Sequence, residues 1–252
     1  MSDVTVTLDG EHVATVEIHR PPANYFDAAL IRELGDAYEA LDADSGARAI
    51  VLCSEGKHFC AGANFGAASS PADEPRALYR EALRLFAAAT PVVAAVQGAA
   101  VGGGLGLACS ADFRIAAPEA RFAANFARLG FHQGFGLTVT LPAIIGGQRS
   151  LEMLYTGRRV RGEEAARIGL ADKVVPADQL RSAAYELAAE IAASAPLAVR
   201  SIRETMRGHL AAEVRAATER EGAEQNRLRQ TADFREGIAA TAQRRPARFE
   251  GR

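Results

Sequence analysis

The sequence predicts an α/β fold, parallel strands covered by helices, followed by a helical C-terminal region. Three observations carry this. Short apolar runs such as ARAIVLCSE and PVVAAVQG alternate with amphipathic segments, the order expected of parallel strands with helices on their faces. Very small residues follow two of those runs, where α/β proteins place ligand loops. From about Asp178 onward strand signals stop and helical spacing takes over.

Taken in order, VTVTLDGEHVATVEIHR alternates apolar and polar residues on either side of Asp9-Gly10, which predicts two strands joined by a tight hairpin turn. After the PPAN turn, Leu30, Leu34, Ala37, Tyr38 and Leu41 recur at spacings of three and four and predict a helix. ARAIVLCSE is a buried strand. Leu78, Ala82, Leu85 and Phe86 form the next apolar helical face, which Pro91 closes. PVVAAVQG is a strand, GLGLACSAD a short helix, and DFRIAAPEARFAA two strand-like pieces around Pro118. Leu180, Ala184, Leu187 and Ile191 mark one C-terminal helix. Another begins near Ser194-Ala195-Pro196, with Val199, Ile202 and Met206 expected inward. Residues 211–243 read as helical, with Gly222 and Gly237 the strongest turn signals.

Composition narrows the partners. The 252 residues, 48% hydrophobic, suffice for a sizeable core. A formal charge of -2, from 29 basic and 31 acidic residues, gives no electrostatic footprint for nucleic acid. Three widely spaced cysteines and an N-terminus without a basic and apolar signal pattern fit a reduced, cytoplasmic chain. Gly and Gln97 interrupt the apolar runs, so no membrane partner is expected.

The two small-residue loops are EGKHFCAGANF (55–65) and QGAAVGGGLG (97–106). Small residues admit a ligand to the main chain, and helix N-termini present unpaired N–H groups backed by the helix dipole. Facing each other, the loops would form an oxyanion hole; close strand-to-helix packing is the competing explanation, although three consecutive glycines exceed what packing alone is expected to need. GxxxxGK[ST], GxGxxG and GxSxG are absent, which removes phosphate-loop, dinucleotide and nucleophile-elbow chemistry by those routes. The five histidines and three cysteines show no metal-ligand spacing, and no metal is expected.

FCAGAN, VQGAAVGGGLGLACSADFRIAA, ARFAANFARLG, YTGRRVRGEEAARIGLADKVVP and DFREGIAATAQRRPARF occur in an order that resembles the crotonase (enoyl-CoA hydratase/isomerase) superfamily. The resemblance implies a spiral of repeated ββα units over 1–195 and a helical trimerisation region over 196–252. It also implies an acyl-CoA or enoyl-CoA substrate, no separate cofactor because coenzyme A belongs to the substrate, and a homotrimer or dimer of trimers. By position, the oxyanion donors carry over to the backbone N–H groups of Ala63 and Gly103. Substrate contacts carry over to Ala23, Asn24, Tyr25, Ala61, Asn64, Phe65, Gly106, Asn125, Phe126, Leu129 and Gly134.

The resemblance breaks at the acids. Hydratases of the family carry one glutamate where this sequence has Gly106, and a second, in a Pro-Glu pair, where it has Asn125-Phe126. A positioned acid or base is commonly worth about ten- to ten-thousand-fold, so the usual two-glutamate hydration is not expected. His132 is the alternative proton carrier, set against a loop histidine bonded to backbone. Asp112 and Glu119 read as cap or turn residues. Cys60 reads as packing, since a nucleophilic thiol needs an adjacent base. Three functions remain open: a modified hydratase-like lyase, an isomerase, hydrolase or C–C cleaving enzyme using the same enolate, and a non-catalytic acyl-CoA binder.

Overall fold

The computed structural model describes residues 2–63 and 75–252. β1 (Val4–Leu8) and β2 (Val13–Ile18) form the expected antiparallel hairpin, paired from Val4 with Ile18 to Leu8 with Ala14. Its turn is wider than expected. The left-handed residue is His12 (φ 66°), and Asp9 Oδ1 accepts from the N–H groups of Glu11 (2.9 Å) and Val13 (3.1 Å). An aspartate that bonds the backbone ahead of it replaces the two-residue turn.

β2 continues into a parallel array with β3 (Ala49–Ser54), β4 (Val92–Val96), β6 (Phe113–Ala116) and β9 (Lys173–Val174), giving a six-stranded sheet in the order β1-β2-β3-β4-β6-β9. A smaller sheet holds β5 (Ala99–Val101), β7 (Arg121–Ala123) and β8 (Arg159–Arg161). The chain visits the large sheet at β4, the small sheet at β5, and then turns into α3 (Gly103–Ser110). It repeats the circuit through β6 and β7 to a 3-10 turn at Asn125–Leu129 and α4 (Leu137–Ile145). This is the ββα spiral.

α1 (Ala28–Ala43) starts where Asp27 caps the Leu30 N–H at 2.9 Å, and buries Leu30, Leu34, Tyr38 and Leu41 as its spacing predicts. α2 (Pro75–Ala87) adds Ala82, Leu85 and Phe86 to the same core. A second apolar cluster fills the opposite face of the large sheet, where Leu180, Ala184 and Ala188 of α7 (Leu180–Ala192) meet Val51, Val93 and Ile115. α5 (Gly147–Thr156) and α6 (Gly162–Arg167) flank β8.

The C-terminal helices differ from expectation in two ways. α8 (Pro196–Arg207) is turned over: Ile202 and Met206 are 63% and 68% exposed, while Arg200, Arg203 and Arg207 face the body of the protein. Gly222 and Gly237 do not break helices but lie buried inside α9 (Leu210–Leu228) and α10 (Ala232–Ala242); the break falls at residues 229–231, where Thr231 caps Phe234 N–H at 3.1 Å. Gly237 is required because a Cβ there would meet the Leu129 backbone at 2.5–2.7 Å. Leu210 and Val214 of α9 belong to the main core, so the helical region shares that core with the spiral. Among the described residues no helix is long and apolar enough to cross a membrane.

Candidate active site

The segment after β3 runs as an added strand between the PPAN turn and β5. On one side Cys60 N–H donates to Ala99 O (2.8 Å) and Val101 N–H to Cys60 O (3.1 Å). On the other, Ala61 N–H donates to Ala23 O (2.9 Å) and Phe26 N–H to Gly62 O (3.1 Å). The two small-residue loops therefore lie side by side, and this juxtaposition brings Ala63 and the N-terminus of α3 into one neighbourhood.

Each glycine of the triplet has its own steric cause. Gly102 takes a positive φ of 57° as N-cap of α3, its N–H bonded to Ala123 O at 2.8 Å. A Cβ on Gly103 would collide with the Phe26 ring, and one on Gly104 with Cys60 O. Packing accounts for Gly103 and Gly104, and the left-handed backbone accounts for Gly102. The same packing leaves chemistry available. Gly103 and Gly104 open the helix, so their N–H groups have no carbonyl of their own helix to meet.

Around this point, Asn125 Oδ1 lies 3.3 Å and the Phe126 ring 3.8–4.0 Å from where a Gly102 Cβ would stand. Phe126 is buried and stacks on Phe131 at 6.2 Å; Phe131 in turn meets Phe234 of α10 at 5.2 Å. Leu129 is buried beneath Gly237. Tyr25 is 40% exposed. Asn24 is fully buried, its amide donating to Glu55 O (2.8 Å) and His58 O (2.6 Å) while its Oδ1 accepts from Arg20 N–H (2.9 Å). Its side chain clamps the PPAN turn to the loop after β3. Asn64 and Phe65 lie outside the described residues.

Phe135, which the sequence did not single out, lies against Gly106. A Cβ at position 106 would lie 2.6 Å from the Phe135 Cβ and 2.8–2.9 Å from its ring. The ring is buried, packing edge-on to Phe26 (5.5 Å) and tilted against Phe86 (6.3 Å), and its backbone is left-handed (φ 58°). Polar contacts on both sides hold this conformation. Before it, Gly134 approaches the Tyr79 hydroxyl, which donates to Gln225 Oε1 (2.8 Å); Gln225 Nε2 donates to His132 O (3.1 Å). After it, the buried Glu221 carboxylate accepts from Gly136 N–H (3.0 Å), Thr138 N–H (3.1 Å) and Thr138 Oγ1 (2.6 Å), capping α4. The only sequence signal was the Gly-Phe-Gly spelling of 134–136.

The remaining candidates all make contacts within the fold. The His132 Nδ1 pairs with Gln133 O at 2.8 Å, and the His132 carbonyl accepts from Gln225 of α9. Burial pushes the Cys60 thiol up to about 12. His58 Nδ1 pairs with Ala99 N–H at 3.3 Å, and its imidazole is shifted down by burial and by the charges of Arg121 and Lys57. Asp112 accepts from Val92 N–H (2.8 Å) and pairs with Arg203 (3.1 Å) and Arg207 (3.0 Å). No cluster of three His, Cys, Asp or Glu placed to hold a metal exists among the described residues.

The family model for enoyl-CoA hydratase/isomerase matches residues 9–252. Carnitinyl-CoA dehydratase of Proteus mirabilis is 35% identical over 249 residues, covering 95% of each chain. Crotonyl-CoA hydratase of Syntrophomonas wolfei is 34% identical over 246 residues, again 95% of each. The crystal structure of enoyl-CoA hydratase/isomerase from Pseudoalteromonas atlantica superposes with a TM-score of 0.88 at 28% identity, over 99% of this chain and 100% of that one. Matched in sequence and fold nearly from end to end, the chain belongs to the enoyl-CoA hydratase/isomerase family of the crotonase superfamily.

Proposed function

We propose that the protein binds an acyl-CoA thioester with its carbonyl oxygen between the N–H groups of Ala63 and Gly103, and stabilises the thioester enolate there without the two-glutamate machinery of the hydratases. The observation that carries this reading is the seating of the α3 N-terminus against residues 60–63, with the Gly103 N–H given no acceptor among the described residues. Such a donor, aimed at charge that develops only in the transition state, is worth roughly 2.7–4 kcal/mol. Relatives named for hydration and dehydration of CoA thioesters support the substrate class. We further propose that the protein self-associates, as a trimer or a dimer of trimers, through faces that include α8.

A second reading, an acyl-CoA binder without turnover, is favoured by Phe135. Its ring occupies the space next to Gly106 where a carboxylate would have to stand. Incubation with 2-enoyl-CoA, 3-enoyl-CoA and β-ketoacyl-CoA thioesters, read by absorbance and by mass of the products, separates the two. Turnover of any class that is lowered about 10²–10³-fold by Ala63→Pro, which deletes one N–H, supports the enzyme. Saturable thioester binding with no product from any class would leave the binder as the function.

A further inference from the structure

A groove of about 480 Å³ opens at the end of the small sheet remote from Gly103. It is lined by four cations, Lys57, Arg121, Arg161 and Arg181, and by two acids, Glu119 and Asp178. Arg121 opens β7 and Arg161 closes β8, and the two are direct partners across that antiparallel pair. Side chains so placed share a face with their Cβ atoms about 4.5–5.5 Å apart, and like charges there repel. Arg181 has a partner, Glu17, and also donates to Ser54 O at 3.0 Å. Lys57, Arg121 and Arg161 form no ion pair among the described residues. Their field is felt locally, since Arg121 and Lys57 both act to lower the basicity of His58.

We propose that this groove binds a phosphate-bearing anion of two or more charges, at a site separate from the thioester site. Two guanidinium groups side by side present parallel N–H donors that match the oxygens of a phosphoryl group, and the bound anion relieves their mutual repulsion. Lys57 adds a third charge from the neighbouring loop. The groove and the N-terminus of α3 lie at opposite ends of β5. Gly98 lines the groove and Gly102 begins the α3 turn, with β5 between them, roughly 13 Å of extended chain. Gly98 keeps its end of the groove tight, because a Cβ there would strike Lys57 O.

The two sources of such an anion are a free phosphorylated metabolite and the phosphates of coenzyme A itself, and the proposal commits to the first. The test is calorimetric titration of the intact protein with inorganic pyrophosphate at low ionic strength, in the absence and presence of a saturating acyl-CoA. One saturable site per chain is expected, retained when acyl-CoA is bound. Affinity should fall at least about tenfold in the Arg121→Gln/Arg161→Gln variant and remain unchanged in Arg220→Gln on α9. Neither arginine is buried or paired, so a thermal midpoint equal to or above that of the parent is expected. Should the double variant not fold, Arg161→Gln alone is expected to weaken pyrophosphate measurably. Absence of binding, or binding indifferent to these substitutions, overturns the proposal. It is equally overturned if acyl-CoA displaces pyrophosphate and the double variant loses acyl-CoA affinity, since the groove would then seat the coenzyme's own phosphates.

Discussion

A glutamate at position 106 would bring its Cβ to 2.6 Å from the Phe135 Cβ, closer than two such carbons approach, and the Phe135 ring is itself held between Phe26 and Phe86. A glutamate introduced here alone therefore overpacks a full site. Gly106→Glu should lower stability by about 1–3 kcal/mol and create no hydration activity. The Gly106→Glu/Phe135→Gly pair should recover part of that loss, because glycine removes the ring and also the Cβ that stands 2.6 Å away, which alanine would keep, even though Phe135→Gly by itself should cost about 3–5 kcal/mol. Urea midpoints of the four proteins form the cycle that checks it; strictly additive losses would show that the two positions do not share space. The sequence placed Gly106 where the resemblance implies an acid, but its packing against Phe135 was not legible. Phe135 lies 29 positions away in sequence, and only folding brings it to α3.

At the scale of the element, α8 shows how packing overrides an amphipathic pattern. Its apolar residues suggested an inward face, yet three arginines at spacings of three and four point inward instead. Each finds a fixed partner: Arg200 donates to Asp42 O and Thr90 Oγ1, Arg203 to Ala88 O and Asp112, and Arg207 to Ser110 O while forming an ion pair with Asp112. Long aliphatic stems let arginine cover apolar surface while its head reaches such acceptors. Asp112 is the hub, with its side chain 9% exposed and that of Arg203 10% exposed. Asp112→Ala strands Arg203, Arg207 and the Val92 N–H, and should cost about 3–5 kcal/mol. A fall in the urea midpoint at unchanged m-value is the expected reading; a loss under about 1 kcal/mol would mean solvent takes over the arginines. The sequence marked Asp112 as a cap or turn residue; the structure instead makes it the acceptor for Val92 N–H and the partner of Arg203 and Arg207, which lie more than ninety positions away.

For the whole molecule, the inversion of α8 has a consequence for assembly. Leu197, Ile202 and Met206 stand 82%, 63% and 68% exposed on a helix that buries none of its residues, and apolar area on this scale marks association surfaces. Size-exclusion chromatography with light scattering should therefore give a mass that is a multiple of the 26.6 kDa chain. The Leu197→Glu/Ile202→Glu/Met206→Glu variant should shift toward monomer while keeping its circular dichroism. A monomeric parent, or an oligomer unmoved by the triple variant, would remove α8 from the interface.

Local pattern determined the alternation of strands and helices, the buried faces of α1, α2 and α7, the order of the family motifs and the two glycine-rich loops, because each depends on neighbours within a few residues. Tertiary structure alone decided which side of α8 faces inward, why each glycine of 102–104 is required, that Phe135 fills the place beside Gly106, and that Arg121 and Arg161 meet across β7 and β8. Those are contacts between segments remote in the chain, and close packing settles them by volume and by the pairing of buried polar groups, quantities that no short window of sequence contains.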